Sequence, residues 1–357
     1  MTPRGQLDKR TVSDGVSIPA SGIMPTMNDR FAGHTAGKYP DSWYAATAPL
    51  LPAFPSFQGE ETADVCVIGG GYTGLSTALH LKKKSYDVVL LEAERVGWGA
   101  SGRNGGHVGT GQRADQASIE KWVGMEAAKD LWQLGLDAVQ KVCELIDEYQ
   151  IDCELGSGNL HLAAKLSHAE ELQEELEHLE SQYGYQQLSY LAPEAVAERT
   201  SARGFYGALL DDGCRHLHPL KYAVGLARAA AEAGARIYEH SRAQPAPDGQ
   251  SGEVKAAQGY VKAQHVVLGC NAYLGKLMPR LAGNIMPINN FVIASEPLPS
   301  HLLPRINRDN LSMSDTLFVI NYWKLSEDGR MLFGGGENYS SHFPRDIKAF
   351  VRPHMLN

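Results

Sequence analysis

Apolar residues along this chain fall into short unbroken runs, separated by glycine turns and amphipathic stretches. Val65–Ile68, Val88–Leu91 and Val266–Leu268 are runs of strand length, the pattern of strands buried on both faces. Between the first two, Leu75, Ala78, Leu79 and Leu81 recur at helical spacing and Lys82-Lys83-Lys84 closes the segment. This predicts a helix of about three turns with positive charge at the end its dipole favours. Further on, Leu131, Leu134, Ala138, Val142, Leu145 and Tyr149 predict a long helix over 116–150, with Gly124 and Gly135 as candidate breaks. Short strands are expected at Ile151–Glu154 and Asn159–Ala164, and Ser167-x-x-Glu170 reads as a capping box opening a helix to about Tyr183.

The second half changes character. Phe205–Asp211 reads as a strand ending at an Asp212-Gly213 turn. An alanine-rich helix then starts at Pro219 and ends at Gly234, followed by a strand over Arg236–His240. Residues 244–252 read as a loop, and 259–272 as a hairpin strand running into a buried strand. Asn290–Ser295, Thr316–Trp323 and Met331–Phe333 alternate with Pro- and Gly-marked turns, the pattern of an antiparallel sheet. The fold class expected is α/β: a Rossmann-like dinucleotide domain with an interleaved second domain built on an antiparallel sheet. The expected divisions are a disordered leader (1–37), an irregular arm (38–62), a discontinuous nucleotide domain (63–150 and 204–275) and a substrate domain (151–203 and 276–357).

Composition narrows this little. A chain of 357 residues with 43% hydrophobic and 21% charged residues is ordinary for a globular protein. A net charge of −8 argues against a nucleic-acid binder, and no apolar run approaches the length of a membrane span. The five cysteines include no C-x-x-C pair, a reduced, cytoplasmic pattern, with Cys66 and Cys270 placed in apparent buried strands. The histidines form no H-E-x-x-H; His216 and His218 are the closest pair, and no metal site is expected.

The chemistry sits in the first strand–helix–strand unit. Gly69, Gly71 and Gly74 follow the first strand, and Glu92 ends the second, 18 residues beyond Gly74. Gly69 permits a tight turn, Gly71 lets backbone approach a pyrophosphate, and Gly74 lets helix and strand pack closely, while Glu92 can take ribose hydroxyls. Five glycines then crowd residues 93–107, as where backbone wraps a ligand. The fingerprint alone does not separate NAD from FAD. The second glycine loop and the returning strand at 259–272 favour FAD.

At Asp64–Gly74, Gly97–Gly106, Gly207–Asp211, His216–Leu220, Gly269–Gly275 and Leu332–Gly336 the chain resembles the D-amino-acid-oxidase-type family of FAD-dependent amine oxidoreductases. The Gly99-Ala100-Ser101-Gly102-Arg103-Asn104-Gly105-Gly106 string is the most specific piece. The resemblance implies FAD contacts at Gly69, Gly71, Tyr72, Thr73, Gly74, Glu92, Ala93, Gly99, Ala100, Ser101, Arg103, Asn104, Gly105 and Gly106, with Ala243 and Asn271 further on. It implies His107, His218 and Tyr322 as substrate-lining candidates. Tyr322 and Trp323 alternate faces of a strand, so only one can point at the flavin. With no cysteine after Cys270, the FAD is expected to be non-covalent. The implied reaction is oxidation of an amine, such as a gamma-glutamyl polyamine, to an imine and then an aldehyde, with oxygen reduced to hydrogen peroxide. A dehydrogenase passing electrons to another acceptor and a non-catalytic flavin-binding protein are the alternatives. The family's further glycine-rich segment near the C-terminus has no counterpart before Asn357, so the chain reads as a shortened version of the pattern.

Overall fold

A computed structural model describes residues 37–244, 252–339 and 344–356. The expected leader, apart from Gly37, and most of the 244–252 loop lie outside them. In chain order, α1 (Trp43–Thr47) precedes β1 (Gly59–Ile68), α2 (Tyr72–Lys83), β2 (Val88–Leu91) and β3 (His107–Val108). Next come α3 (Gln116–Val123), α4 (Met125–Glu148), β4 (Gly156–Leu162), α5 (Leu166–Tyr183), β5 (Leu188–Leu191) and α6 (Pro193–Arg199). Then follow β6 (Ala208–His216), α7 (Pro219–Glu232), β7 (Arg236–Tyr238), β8 (Glu253–Ala256) and β9 (Gly259–Leu268). The last part holds α8 (Pro279–Ala282), β10 (Asn289–Ala294), α9 (Leu303–Ile306), β11 (Ser312–Asp315), β12 (Tyr322–Leu325), β13 (Met331–Asn338) and α10 (Ile347–Leu356).

Two sheets organise these elements. The first has the order β7-β2-β1-β9-β8, parallel except for the β8–β9 hairpin. Because β1 lies between β2 and β9, the strand order reverses at its C-terminal end, where an α/β sheet opens a crevice for ligands. Val65 and Val67 pack with Leu75, Leu79 and Leu226 on one face, and Cys66 and Ile68 pack with Val89, Leu91 and Val254 on the other. Burial on both faces explains the unbroken apolar runs. The second sheet, β10-β13-β12-β11-β4-β6-β3 with β5 also on β6, is antiparallel apart from one parallel junction between β4 and β11. Trp323, Phe333, Met313 and Leu160 face a core closed by α6 and α10. Strands β3 and β6 belong to this sheet, although their residues fall within 63–150 and 204–275. No helix among the described residues is long and apolar enough to cross a membrane.

Several local expectations need correcting. Gly124 does break the long helix, at φ +81, but Gly135 does not. It lies inside α4, where a Cβ would sit 3.0 Å from the Gly111 carbonyl oxygen, so it serves close packing. Residues 151–154 form no strand, because Gln150 and Glu154 take positive φ and the chain turns twice. Ser167 does not cap α5; the helix begins at Leu166 with Lys165 as its N-cap. Asp212-Gly213 is no turn. The Asp211 carboxylate accepts from the Gly213 N–H and the Tyr185 hydroxyl, and β6 continues to His216 through a register shift against β4. The 316–323 segment is mostly loop, since Asp315 accepts from the Leu317 and Asn321 N–H groups and ends β11 there. The end of β9 is only partly covered, with Val266 40% exposed, and Cys270 lies just past it rather than in a buried strand.

Candidate functional site

The crevice at the end of β1 is built from local parts. Gly69 turns out of the strand at φ +107, and a Cβ there would lie 2.6 Å from the Gly269 carbonyl oxygen at the end of β9. A Cβ on Gly74 would lie 1.8 Å from the Gly69 carbonyl oxygen, so α2 can sit this close to β1 only with glycine at 74. Gly71 is the N-cap of α2 and brings no side chain to the first turn. A Cβ on Gly71 would come within 2.8 Å of Ser101 Oγ, which accepts from the Tyr72 N–H at 3.0 Å. The result is a bare helix N-terminus with a hydroxyl beside it and a floor that any Cβ would fill. Such a cradle suits a dinucleotide pyrophosphate. Thr73 is exposed on the same first turn.

Glu92 stands at the end of β2. Its carboxylate accepts from the Gly70 N–H at 2.5 Å and the Glu94 N–H at 2.8 Å. Burial pushes its pKa above the usual carboxylate range, and those two N–H donors pull it back. The carboxylate therefore stays fixed in the crevice between β1 and β2. Ala93 follows it, partly buried. Ala243 packs near Val254 and Ala256 on the β8 side, and Asn271, at φ +48, caps its own turn through the Ala272 N–H.

The glycine loop after Glu92 is held by distant parts. It is tied to the crevice where the Gly97 N–H donates to the Gly70 carbonyl at 2.8 Å. Residues 100–102 make one tight 3-10 turn, and a Cβ on Gly99 would meet the Tyr273 ring. Asn104 staples the loop: its Nδ2 donates to the Ala100 and Ser101 carbonyls, and its Oδ1 accepts from the Gly106 N–H at 2.8 Å. The Asn104 carbonyl accepts from the Tyr44 hydroxyl at 2.8 Å. Arg103 lies 4.6 Å from the Trp98 ring centroid and donates to the Tyr273 hydroxyl, so its guanidinium braces the loop. Gly105 faces the Tyr322 ring, where a Cβ would lie 2.5 Å away.

The substrate-lining candidates separate. His107 and Tyr322 come together, with ring centroids 5.5 Å apart in an edge-on arrangement beside Gly105. His107 Nδ1 lies 3.2 Å from the Gly105 carbonyl oxygen and Nε2 lies 3.1 Å from that of Met313. Burial pushes its pKa down to about 4, so the neutral ring has one N–H to share between the two. Tyr322 donates to Asn290 Oδ1 at 2.5 Å, and Trp323 points away into the core. His218 is a correction. It is fully buried, its Nδ1 accepts from the Lys221 N–H as the cap of α7, and its Nε2 meets the Thr47 hydroxyl at 3.0 Å. Both ring nitrogens are used structurally, and none is left for a substrate.

Three contributors were missed. Tyr44, in α1, reaches the loop backbone. Glu239, just beyond β7 and fully buried, accepts from the Phe54 N–H at 3.0 Å and the Val96 N–H at 2.7 Å and pairs with Arg95 at 2.7 Å. It joins the arm to the start of the glycine loop. Lys324 lies in β12, 2% exposed. Its signal was present: a lysine within the otherwise apolar Tyr322–Leu325 strand.

Comparison with known proteins agrees with this geometry. The family model described as FAD dependent oxidoreductase matches residues 64–356. A probable oxidoreductase OrdL of Rhizobium meliloti (strain 1021) is 40% identical over 312 residues, 87% of this chain and 72% of that protein. The gamma-glutamylputrescine oxidoreductase of Escherichia coli (strain K12) is 38% identical over 320 residues, 89% of this chain and 75% of its own length. Among solved structures, glycine oxidase from Geobacillus kaustophilus superposes with a TM-score of 0.60 at 20% identity, over 78% of this chain and 72% of that one. L-proline dehydrogenase from P. horikoshii also gives 0.60 at 20% identity, over 86% and 76%. At that identity these structures speak to the fold.

Proposed function

Because the chain belongs to the family of FAD-dependent oxidoreductases acting on amines or amino acids, we propose that its substrate is a gamma-glutamylated diamine or a similar alkylamine, with oxygen as the electron acceptor. The observation that carries the substrate class is the 38% identity to gamma-glutamylputrescine oxidoreductase over 89% of this chain.

Bound FAD supplies the hydride acceptor, and the protein's task is to bind, orient and desolvate. In this reading the N-terminus of α2 and Ser101 take the pyrophosphate, and Glu92 takes the hydroxyls of the adenosine ribose. The Asn104-stapled loop, with Gly99, Gly105 and Gly106, wraps the flavin end, and binding is non-covalent. His107 and Tyr322 close the substrate side of Gly105. Burial keeps the phenol of Tyr322 protonated, pushed up to about 12, and keeps His107 neutral at neutral pH. Neither therefore adds charge next to an amine that must arrive as its free base. Loss of hydride from the carbon beside the nitrogen would leave an iminium ion, the protonated imine, which water hydrolyses to the aldehyde with release of the nitrogen as ammonium.

The test is anaerobic mixing of the FAD-loaded chain with gamma-glutamylputrescine, putrescine and glycine in parallel. Rapid loss of the oxidised-flavin absorbance with the first, and slow or no loss with glycine, is expected. Readmitted air should then restore the colour and release hydrogen peroxide. Bleaching by glycine alone would overturn the substrate class. Bleaching without peroxide would overturn oxygen as the acceptor.

A further inference from the structure

We propose that Lys324 is a positioning residue for the cofactor loop: its side-chain nitrogen fixes the Leu217 carbonyl, which fixes Gly106 and the short strand carrying His107. This goes beyond the amine assignment and needs only FAD binding, which follows from the family.

The contacts form one continuous chain. Lys324 Nζ donates to the Leu217 carbonyl at 2.8 Å. Leu217 links β6 to α7, and its own N–H donates to the Gly106 carbonyl at 2.8 Å. Gly106 has φ +76, and a Cβ there would lie 2.0 Å from the Leu217 oxygen, so only glycine fits against that carbonyl. On the next pair out, His107 lies opposite His216 in the β3–β6 ladder. The turn into the site is thus clamped from one side by backbone and from the other by Lys324, 107 residues away from the carbonyl it holds, acting on a peptide whose His218 N–H also donates to the Cys153 carbonyl at 2.7 Å. If the Leu217 carbonyl swung away, Gly106 would lose the backbone surface it packs against.

The surroundings make this clamp sensitive to protonation. Glu154 and Cys153, from the segment after α4, and Glu327, after β12, act electrostatically on Lys324. His107, His216 and His218 are its basic neighbours, and Lys221, paired with Glu154 at 2.9 Å, is the other nearby cation. Burial drives the histidines down to about 4, 4 and 3 respectively, with Lys324 contributing in each case. Cys153 is pushed up to about 12. Burial brings Lys324 itself down to about 8. Lys324 is therefore the member of this cluster whose charge changes just above neutral pH. Protonated, it makes a charge-assisted bond to Leu217, and deprotonated, it is a weaker donor.

The signs separate positioning from plain stability. FAD affinity should be full below pH about 8 and fall about five-fold as Lys324 loses its proton above it. Stability of the FAD-free chain runs the other way. A folded-state pKa of about 8 lies below the unfolded value of about 10.4, so the folded form binds fewer protons between them, and this group's contribution favours folding as pH rises.

The experiment is FAD titration of the full chain by quenching of flavin fluorescence from about pH 6.5 to about pH 9.5, with unfolding midpoints of the FAD-free chain over the same range. K324R, always protonated, should keep the affinity seen near neutral pH and lose the fall above about 8. K324M should bind about ten-fold more weakly near neutral pH, with no inflection. A K324M chain with wild-type affinity and a wild-type profile would overturn the proposal. If K324M does not fold, a wild-type profile that is flat, or one that K324R reproduces with its inflection, overturns it instead.

Discussion

The two halves of the cofactor crevice are built in opposite ways. The half formed by β1, α2 and β2 draws Gly69, Gly71, Gly74 and Glu92 from one continuous stretch, with Gly74 meeting the Gly69 backbone and Glu92 the Gly70 N–H inside it. The half formed by the 97–107 loop has little regular structure, and its shape comes from Tyr44, Glu239, Leu217, Tyr273 and Tyr322, scattered through the chain. A local unit of this kind can be recognised from spacing alone and placed on almost any sheet. A loop held at long range has the shape it has only in the finished fold. In the proposed reading, a portable motif would bind the handle of the cofactor and tertiary structure its reactive end.

The largest effect expected comes from cutting the long-range half at its buried anchor. Glu239→Gln leaves Arg95 with no opposite charge at a site where Glu239 is fully buried. Breaking such a pair costs about 3–5 kcal/mol. The midpoint of chemical unfolding should fall accordingly, and the arm at 38–57 should become the first segment to exchange its amide protons. An unchanged midpoint would mean that the arm and loop are not joined through this carboxylate. Next comes the local half. Gly74→Ala forces a Cβ to within 1.8 Å of the Gly69 carbonyl oxygen, so helix and strand must part. A loss of about 2–3 kcal/mol and loss of both ADP and FAD binding, read by calorimetry, is expected. Retained ADP binding would show that the close approach is not what shapes the cradle.

How much was legible follows the same division. The first strand, the glycine turn, α2 and Glu92 were readable because a parallel β–α–β crossing imposes glycine where backbones meet, whatever lies elsewhere. The Gly99–Gly106 string could be matched to a family, but not its supports. Tyr44 lies 60 residues from Asn104 and Met313 lies 206 residues from His107, and no periodicity links such pairs. His218 misled for a related reason. A histidine before a proline at a helix start reads equally well as a ligand or a cap, and only its contacts with Thr47 and Lys221 show that it is a cap. Asp212-Gly213 looked like a turn because its composition is that of a turn, yet β6 runs through it with only a register shift, the buried Asp211 carboxylate accepting from the Gly213 N–H and the Tyr185 hydroxyl. Lys324 was visible as an odd residue in an apolar strand, but its partner, a main-chain carbonyl, has no signature in sequence.

The separation of the two halves is tested most directly with one variant and two ligands. Asn104→Ala removes the three side-chain hydrogen bonds that staple the loop and leaves the Gly69–Gly74 approach and the Glu92–Gly70 hydrogen bond of the β1–α2–β2 cradle in place. Calorimetric titration with ADP and with FAD should show ADP affinity within about two-fold of the parent, and FAD affinity weaker by about ten-fold, the equivalent of about 1.4 kcal/mol. If both ligands weaken by the same factor, the crevice is a single unit and the division drawn between a local handle and a long-range flavin site is wrong.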